Sequence, residues 1–280
     1  MYLFGYCFPG VLALDLNTFQ YHVIDEWLQA VSGSFTNFND GCFHVRYCKL
    51  DDKVYLPFMN ANAVMIFDLS TERTGIRMVG DESQRYISIE YDGECFWLVP
   101  RDATVGSIVR WNHKTDETRQ FRDFPNGFDR DISCAFYHSI NLGDRMLLLA
   151  HAANMNVNVD FKTGKMTEAP SFYDESCITS AKYPFVEVCG DEILIPTQNE
   201  FIFWNPVFGE KRVVPYVRSD AFLRREEMIS SRIEAHRREM IRRNVLEKMR
   251  LPENRGVPFG EGPYATLDDW IRYIVLQEKI

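Results

Sequence analysis

Two sets of side chains in this sequence are of types that do chemistry. The first is polar and mostly uncharged. Asn60 and Asn62, then Arg101 with Asp102 and Thr104, then His151 with Asn154 and Asn156, then Thr197, Gln198 and Asn199 occupy four short stretches, each just after an apolar run. Amides both donate and accept hydrogen bonds, and a guanidinium offers a rigid fork of donors. That chemistry holds a saccharide or another small polar ligand and does not transform it. The second set is acidic: Asp40, Glu90, Asp131 and Glu187. Two carboxyl groups about 5–9.5 Å apart can hydrolyse a glycosidic bond, one as acid and the other as base or nucleophile.

Each set also has a plainer use. Asn is a preferred turn residue because its side chain bonds the turn's own backbone. The acids at 40 and 131 share a phase with Asp81 and Asp174, as a turn or strand-entry device would. The six histidines, at 22, 44, 113, 138, 151 and 236, show no HExxH or other ligand spacing. The seven cysteines are odd in number and form no CxxC pair. Buried reduced thiols fit them better than disulfides or a metal site. No Gly-rich phosphate loop, Rossmann fingerprint or Ser-His-Asp order is present. The reading is therefore no catalytic residue, no metal and no cofactor.

An internal repeat positions these residues. An apolar strand ending in Asp or Asn recurs as Val11-Leu-Ala-Leu-Asp15, Val64-Met-Ile-Phe-Asp68, Ile108-Val-Arg-Trp-Asn112, Val157-Asn-Val-Asp160 and Phe201-Ile-Phe-Trp-Asn205. The intervals are 53, 44, 48 and 45 residues. A preceding strand keeps the same phase, as Val54–Pro57, Phe96–Pro100, Met146–Ala150 and Ile193–Pro196. Proline closes three of these four, which ends pairing at one place in each copy. Each period holds four short strands; in the second copy they are expected at His44–Cys48, Val54–Phe58, Val64–Asp68 and Ile76–Val79. The first copy enters late, with Tyr2–Tyr6 as its second strand, and so lacks an innermost one.

These repeats resemble β-propeller repeats over residues 1–217, and are most similar to kelch-like or WD-like repeats of poorly characterised bacterial proteins. There is no Gly-Gly pair of kelch type and no Trp-Asp dipeptide with its Gly-His partner, so no family's binding residues transfer. The resemblance implies an all-β fold of about five four-stranded antiparallel blades around a channel. In such a ring the turns after the second strands gather at the channel mouth. Asn60, Asn62, Arg101, His151, Asn154, Asn156 and Gln198 are then the expected ligand-binding set. His44 and His138 fall on innermost strands.

After Val217 the composition changes. Residues 218–250 contain nine arginines and one lysine against six acids, without Gly or Pro, and carry an apolar stripe at 222, 229, 233, 240, 241, 245, 246 and 249. A long basic amphipathic helix is expected there, then a turn-rich connector and a short helix with Thr266 as its cap, giving a helical extension over 218–280. Such a helix could also join two copies of the chain.

A net charge of −9 argues against nucleic acid as a partner, and no apolar run approaches the length of a membrane span. No signal-peptide pattern opens the sequence, so a cytoplasmic location is expected. The reading is a non-enzymatic binding or scaffold propeller that recognises a protein or a glycan at its polar mouth. The alternative is a glycoside hydrolase-like enzyme using the acids of the channel.

Overall fold

In the computed structural model the described residues are 1–5, 10–31, 43–44, 46–101, 106–130, 134–170, 186–196, 200–215 and seven positions between 220 and 232. Residues 1–215 make one compact unit and 216–280 another. The long helix, connector and short helix expected in the second unit lie outside the described residues apart from those seven positions.

The first unit is all-β apart from one short helix, α1 (Leu28–Val31). Five antiparallel sheets follow one another along the chain, and no sheet mixes strands from two copies. The first has three strands, β1 (Tyr2–Phe4), β2 (Val11–Leu14) and β3 (Tyr21–Ile24). The second has β4 (Cys48–Leu50), β5 (Lys53–Pro57), β6 (Ala63–Asp68) and β7 (Thr74–Met78). The third comprises β8 (Tyr86–Tyr91), β9 (Phe96–Pro100), β10 (Ile108–Trp111) and β11 (Thr118–Phe121). The fourth comprises β12 (Phe136–Asn141), β13 (Arg145–Ala150), β14 (Asn156–Asp160) and β15 (Met166–Ala169). The fifth comprises β16 (Glu187–Cys189), β17 (Glu192–Pro196), β18 (Glu200–Trp204) and β19 (Lys211–Pro215). These are the five blades of a β-propeller. Among the described residues the first blade has three strands and the other four blades have four each.

Strand alternation supplies two apolar faces per blade, and successive blades bury them against each other. Tyr2 and Phe4 meet Phe67 of the second blade edge-on, at centroid distances of 4.9 and 5.5 Å. Tyr55 of the second blade packs with Phe96 and Trp111 of the third. Trp97 and Val99 face Met146, Leu148 and Val157 across the next seam. Leu147 and Leu149 meet Ile193, Ile195 and Trp204 across the last of these.

The repeated Asx residue builds the same turn in every blade. Its side-chain oxygen accepts backbone N–H groups two or three residues on, at 2.8 Å for Asp15, 2.9 and 3.1 Å for Asp68, 3.0 and 3.3 Å for Asn112, 2.7 Å for Asp160, and 2.9 and 3.1 Å for Asn205. Four residues after each Asx the chain turns left-handed, at Phe19, Glu72, Asp116, Gly164 and Gly209, with φ between 57° and 73°. Each of these N–H groups returns to the carbonyl of its Asx. Only two of the five are glycine. At Gly164 the reason is space as well as φ, because a Cβ there would fall on the ring of Phe121.

The innermost strands depart from regularity at one phase. β8 slips register between Tyr86 and Ser88, and β12 between Phe136 and His138. In the second blade Phe43 pairs with Phe58 and Cys48 with Tyr55, so five steps on one side face three on the other. The strand expected at His44–Cys48 is therefore an irregular lead-in, and regular pairing begins only at Cys48. Such bulges re-aim side chains. Here they bring side chains from several blades together at the axis.

Candidate functional site

The lead-in to β4 carries Arg46 toward the centre of the blades. Its Nε donates to His138 Nδ1 on β12 at 3.2 Å, and its Nη2 donates to the carbonyl of Val186, just before β16, at 3.1 Å. One side chain of the second blade thus ties the fourth and fifth, 92 and 140 residues away in sequence. Because His138 Nδ1 accepts, its proton sits on Nε2 and the buried ring is neutral.

Glu90 on β8 joins from the third blade. Its Oε1 accepts from the fully buried Ser139 hydroxyl on β12 at 2.7 Å. Burial pushes the Glu90 carboxyl up to about 7, while the Ser139 bond and the charge of Arg46 pull it back. His44 sits beside Tyr137 and His138, at ring centroid distances of 5.1 and 5.8 Å. Burial first, then Arg46 and His151, hold it at about 4, so it is neutral at physiological pH. Its Nδ1 is buried without a hydrogen-bond partner. His151 lies flat on Tyr137 at 3.5 Å and 12°. Burial, with Glu90 next, raises the Cys48 thiol to about 12, which removes it as a nucleophile. Among the described residues the floor of the channel thus brings together the Arg46 guanidinium, the Glu90 carboxyl, and the imidazoles of His44, His138 and His151, of which His44 and His138 are neutral.

The residues expected at the mouth are placed as follows. Arg101 Nη1 donates to the carbonyl of Met59 and to Asn60 Oδ1, bridging the second and third blades. Asn62 Nδ2 donates to Gly80 O at 3.3 Å. Asn154 accepts from Asp129 N and donates to Gly127 O, both at 2.8 Å. Asn156, fully buried, accepts from Ala150 N and donates to Pro170 O, both at 2.9 Å. These amides brace their own loops through backbone groups. Arg101 is half-buried, and His151 lies on Tyr137. Gln198 lies outside the described residues, as do Asp40 and Asp131. Of the four acids, Glu90 enters the floor, and Glu187 on the exposed β16 is close enough to act on the charge of Arg46.

Arg46 is the functional residue that the sequence did not single out. It belongs to no repeat and no motif. Its one sequence signal is a cation in an expected innermost strand, where every neighbour at that depth must satisfy it. Among the described residues no group of three or more His, Cys, Asp and Glu is placed to hold a metal ion. No helix among them is long and apolar enough to cross a membrane.

The raised Glu90 carboxyl sets a pH dependence of stability. The folded state holds this proton at pH values where the unfolded chain, with its carboxyl near 4.5, has lost it. The contribution is therefore complete below about 4.5 and disappears as pH rises through 7. His44 runs the other way: its contribution is complete above about 6.5 and fades as pH falls toward 4. Comparing Glu90→Gln with the parent isolates the first effect, since Gln still accepts from Ser139. The variant should gain stability relative to the parent between pH 5 and 8 in thermal melts. A constant difference across that range would contradict the placement of Glu90.

No family model matches the chain, and no curated protein matches it. Solved structures similar to it include the extracellular domain of a hybrid two-component system from B. thetaiotaomicron, with a TM-score of 0.49 and 9% identity over 75% of this chain and 25% of that one. Another is PorZ, a surface component of the type-IX secretion system of Porphyromonas gingivalis, with a TM-score of 0.46 and 10% identity over 74% and 24%. The chain thus spans about a quarter of the length of each.

Proposed function

We propose that this propeller is a non-enzymatic recognition module that holds a protein or a glycan at the mouth and floor of its channel. The observation that carries this reading is convergence: Arg46, Glu90, His138 and the carbonyl of Val186, from four blades, meet at one place. A propeller supplies such a site because each blade is held rigidly by its neighbours while its inner residues are free to vary. Arg101 stands at the rim with only Nη1 of its guanidinium engaged among the described residues, and the amides around it keep the loops in shape. Recognition is favoured over hydrolysis because the residues drawn together are mainly donors, acceptors and neutral rings.

Immobilised protein screened against a glycan array and against a peptide library tests the reading. Arg101→Ala should weaken a ligand so found about tenfold, the loss of one or two hydrogen bonds to a charged group. Asn154→Ala should weaken it less, and only through a loosened loop. A ligand whose affinity ignores both changes and ignores Arg46 binds elsewhere, and the mouth is then not the recognition surface.

A further inference from the structure

Resting on that reading, we propose that the channel floor takes a saccharide, anchored by a vicinal diol placed between the Arg46 guanidinium and the Glu90 carboxylate. The hydrogen-bond inventory points to this class. Two of the five N–H groups of Arg46 are engaged, and three have no partner among the described residues. One oxygen of Glu90 is taken by Ser139, and the other has no partner among them. Both side chains are half-buried and neither is fully enclosed. Spare donors on Arg46 and a spare acceptor on Glu90, near enough for their charges to interact, match adjacent hydroxyls, each of which accepts through oxygen and donates through hydrogen.

Charge narrows the class further. Burial disfavours the Arg46 charge more than Glu90 and Glu187 support it, but a carboxylate or phosphate seated between Arg46 and Glu90 would be repelled by the Glu90 carboxylate. His44 and His138 add no second cation, for the reasons given above. A neutral ligand that donates and accepts at one edge remains. The buried His44 Nδ1 without a partner is an independent sign, since an unmet buried polar atom is costly and persists where a ligand group can relieve it. Tyr137, flanked by His44 and His151, sets aromatic surface beside the floor.

The diol must donate to Glu90, so binding should strengthen as pH rises from 6 to 8 and the carboxyl ionises. The charged and titratable groups around it among the described residues are Arg46, Glu187 beyond Arg46, and the histidines at 44, 138 and 151, of which His44 and His138 are neutral; Cys48 stays a thiol.

Calorimetric titration of the full chain with common monosaccharides and disaccharides, together with their deoxy analogues at each hydroxyl, tests the proposal. At least one sugar should bind, its analogue lacking either hydroxyl of the anchoring pair should bind at least tenfold more weakly, and Glu90→Gln and Arg46→Lys should each cost a similar factor. Melting curves establish that both variants are folded. Ser139→Ala serves as the milder change and should alter affinity less than Glu90→Gln. Three results overturn the proposal: no sugar of the panel binds; binding is indifferent to Glu90→Gln and Arg46→Lys; or affinity is flat between pH 6 and 8. If peptides bind and Arg101→Ala weakens them while no sugar does, the mouth stands as a recognition surface and only the saccharide assignment fails.

Discussion

Arg46→Leu should lower the stability of residues 1–215 by about 3 kcal/mol, the largest effect of any single change at the floor. The substitution removes the bond to His138 Nδ1 and the bond to the Val186 carbonyl. His138 is 1% exposed, so its nitrogen has no water to turn to. Glu90 loses the cation that partly offsets its burial. Leucine returns some apolar contact, which keeps the cost below the sum of the broken parts. For a unit of this size the loss corresponds to a melting temperature roughly 6–12 °C lower. Arg46→Lys should fall between, because an ammonium keeps the charge but cannot fork to two acceptors. A melt of Arg46→Leu within a degree or two of the parent would show that the crossing is not made in solution.

Asn156→Ala is the second large effect, and it acts at a residue expected to touch ligand. The amide accepts from Ala150 N and donates to Pro170 O, tying the end of β13 to the segment after β15. It is fully buried. Truncation leaves the buried Ala150 N–H without a partner, unties the Pro170 carbonyl and opens a small cavity, at a cost of about 2–4 kcal/mol. Asn156→Asp should be as damaging, since the donor to Pro170 becomes an acceptor. The urea midpoint should shift down without a change in slope. If Asn156→Ala keeps its midpoint and instead loses ligand, the side chain belongs to the recognition surface and not to the loop.

The blades were legible because their signals repeat. Asp15, Asp68, Asn112, Asp160 and Asn205 mark a turn whose hydrogen bonds recur nearly unchanged, and local backbone chemistry of this kind is written in a few consecutive residues. The floor was not legible. Arg46 occurs once, His138 and Glu90 stand in different copies, and what joins them is a set of bulges whose size no residue type announces. The lead-in at 43–48 reads as an ordinary strand because its alternation is right; only its pairing with Phe58 and Tyr55 shows the extra residues. The amides gave the opposite difficulty. Asn62, Asn154 and Asn156 share a phase as a binding rim would, yet each satisfies backbone groups, since a turn and a ligand ask for the same donors and acceptors.

Convergence of four blades on one floor is tested most directly by nitrogen NMR of the protein labelled at histidine and arginine. At neutral pH His138 should be a neutral ring protonated on Nε2, with an unprotonated Nδ1 that shows a hydrogen-bond correlation to the Arg46 Nε–H and loses it in Arg46→Leu. A His138 ring protonated on Nδ1, or one whose signals are unchanged by Arg46→Leu, would mean that the second and fourth blades do not meet there, and the site built on their meeting would fall with it.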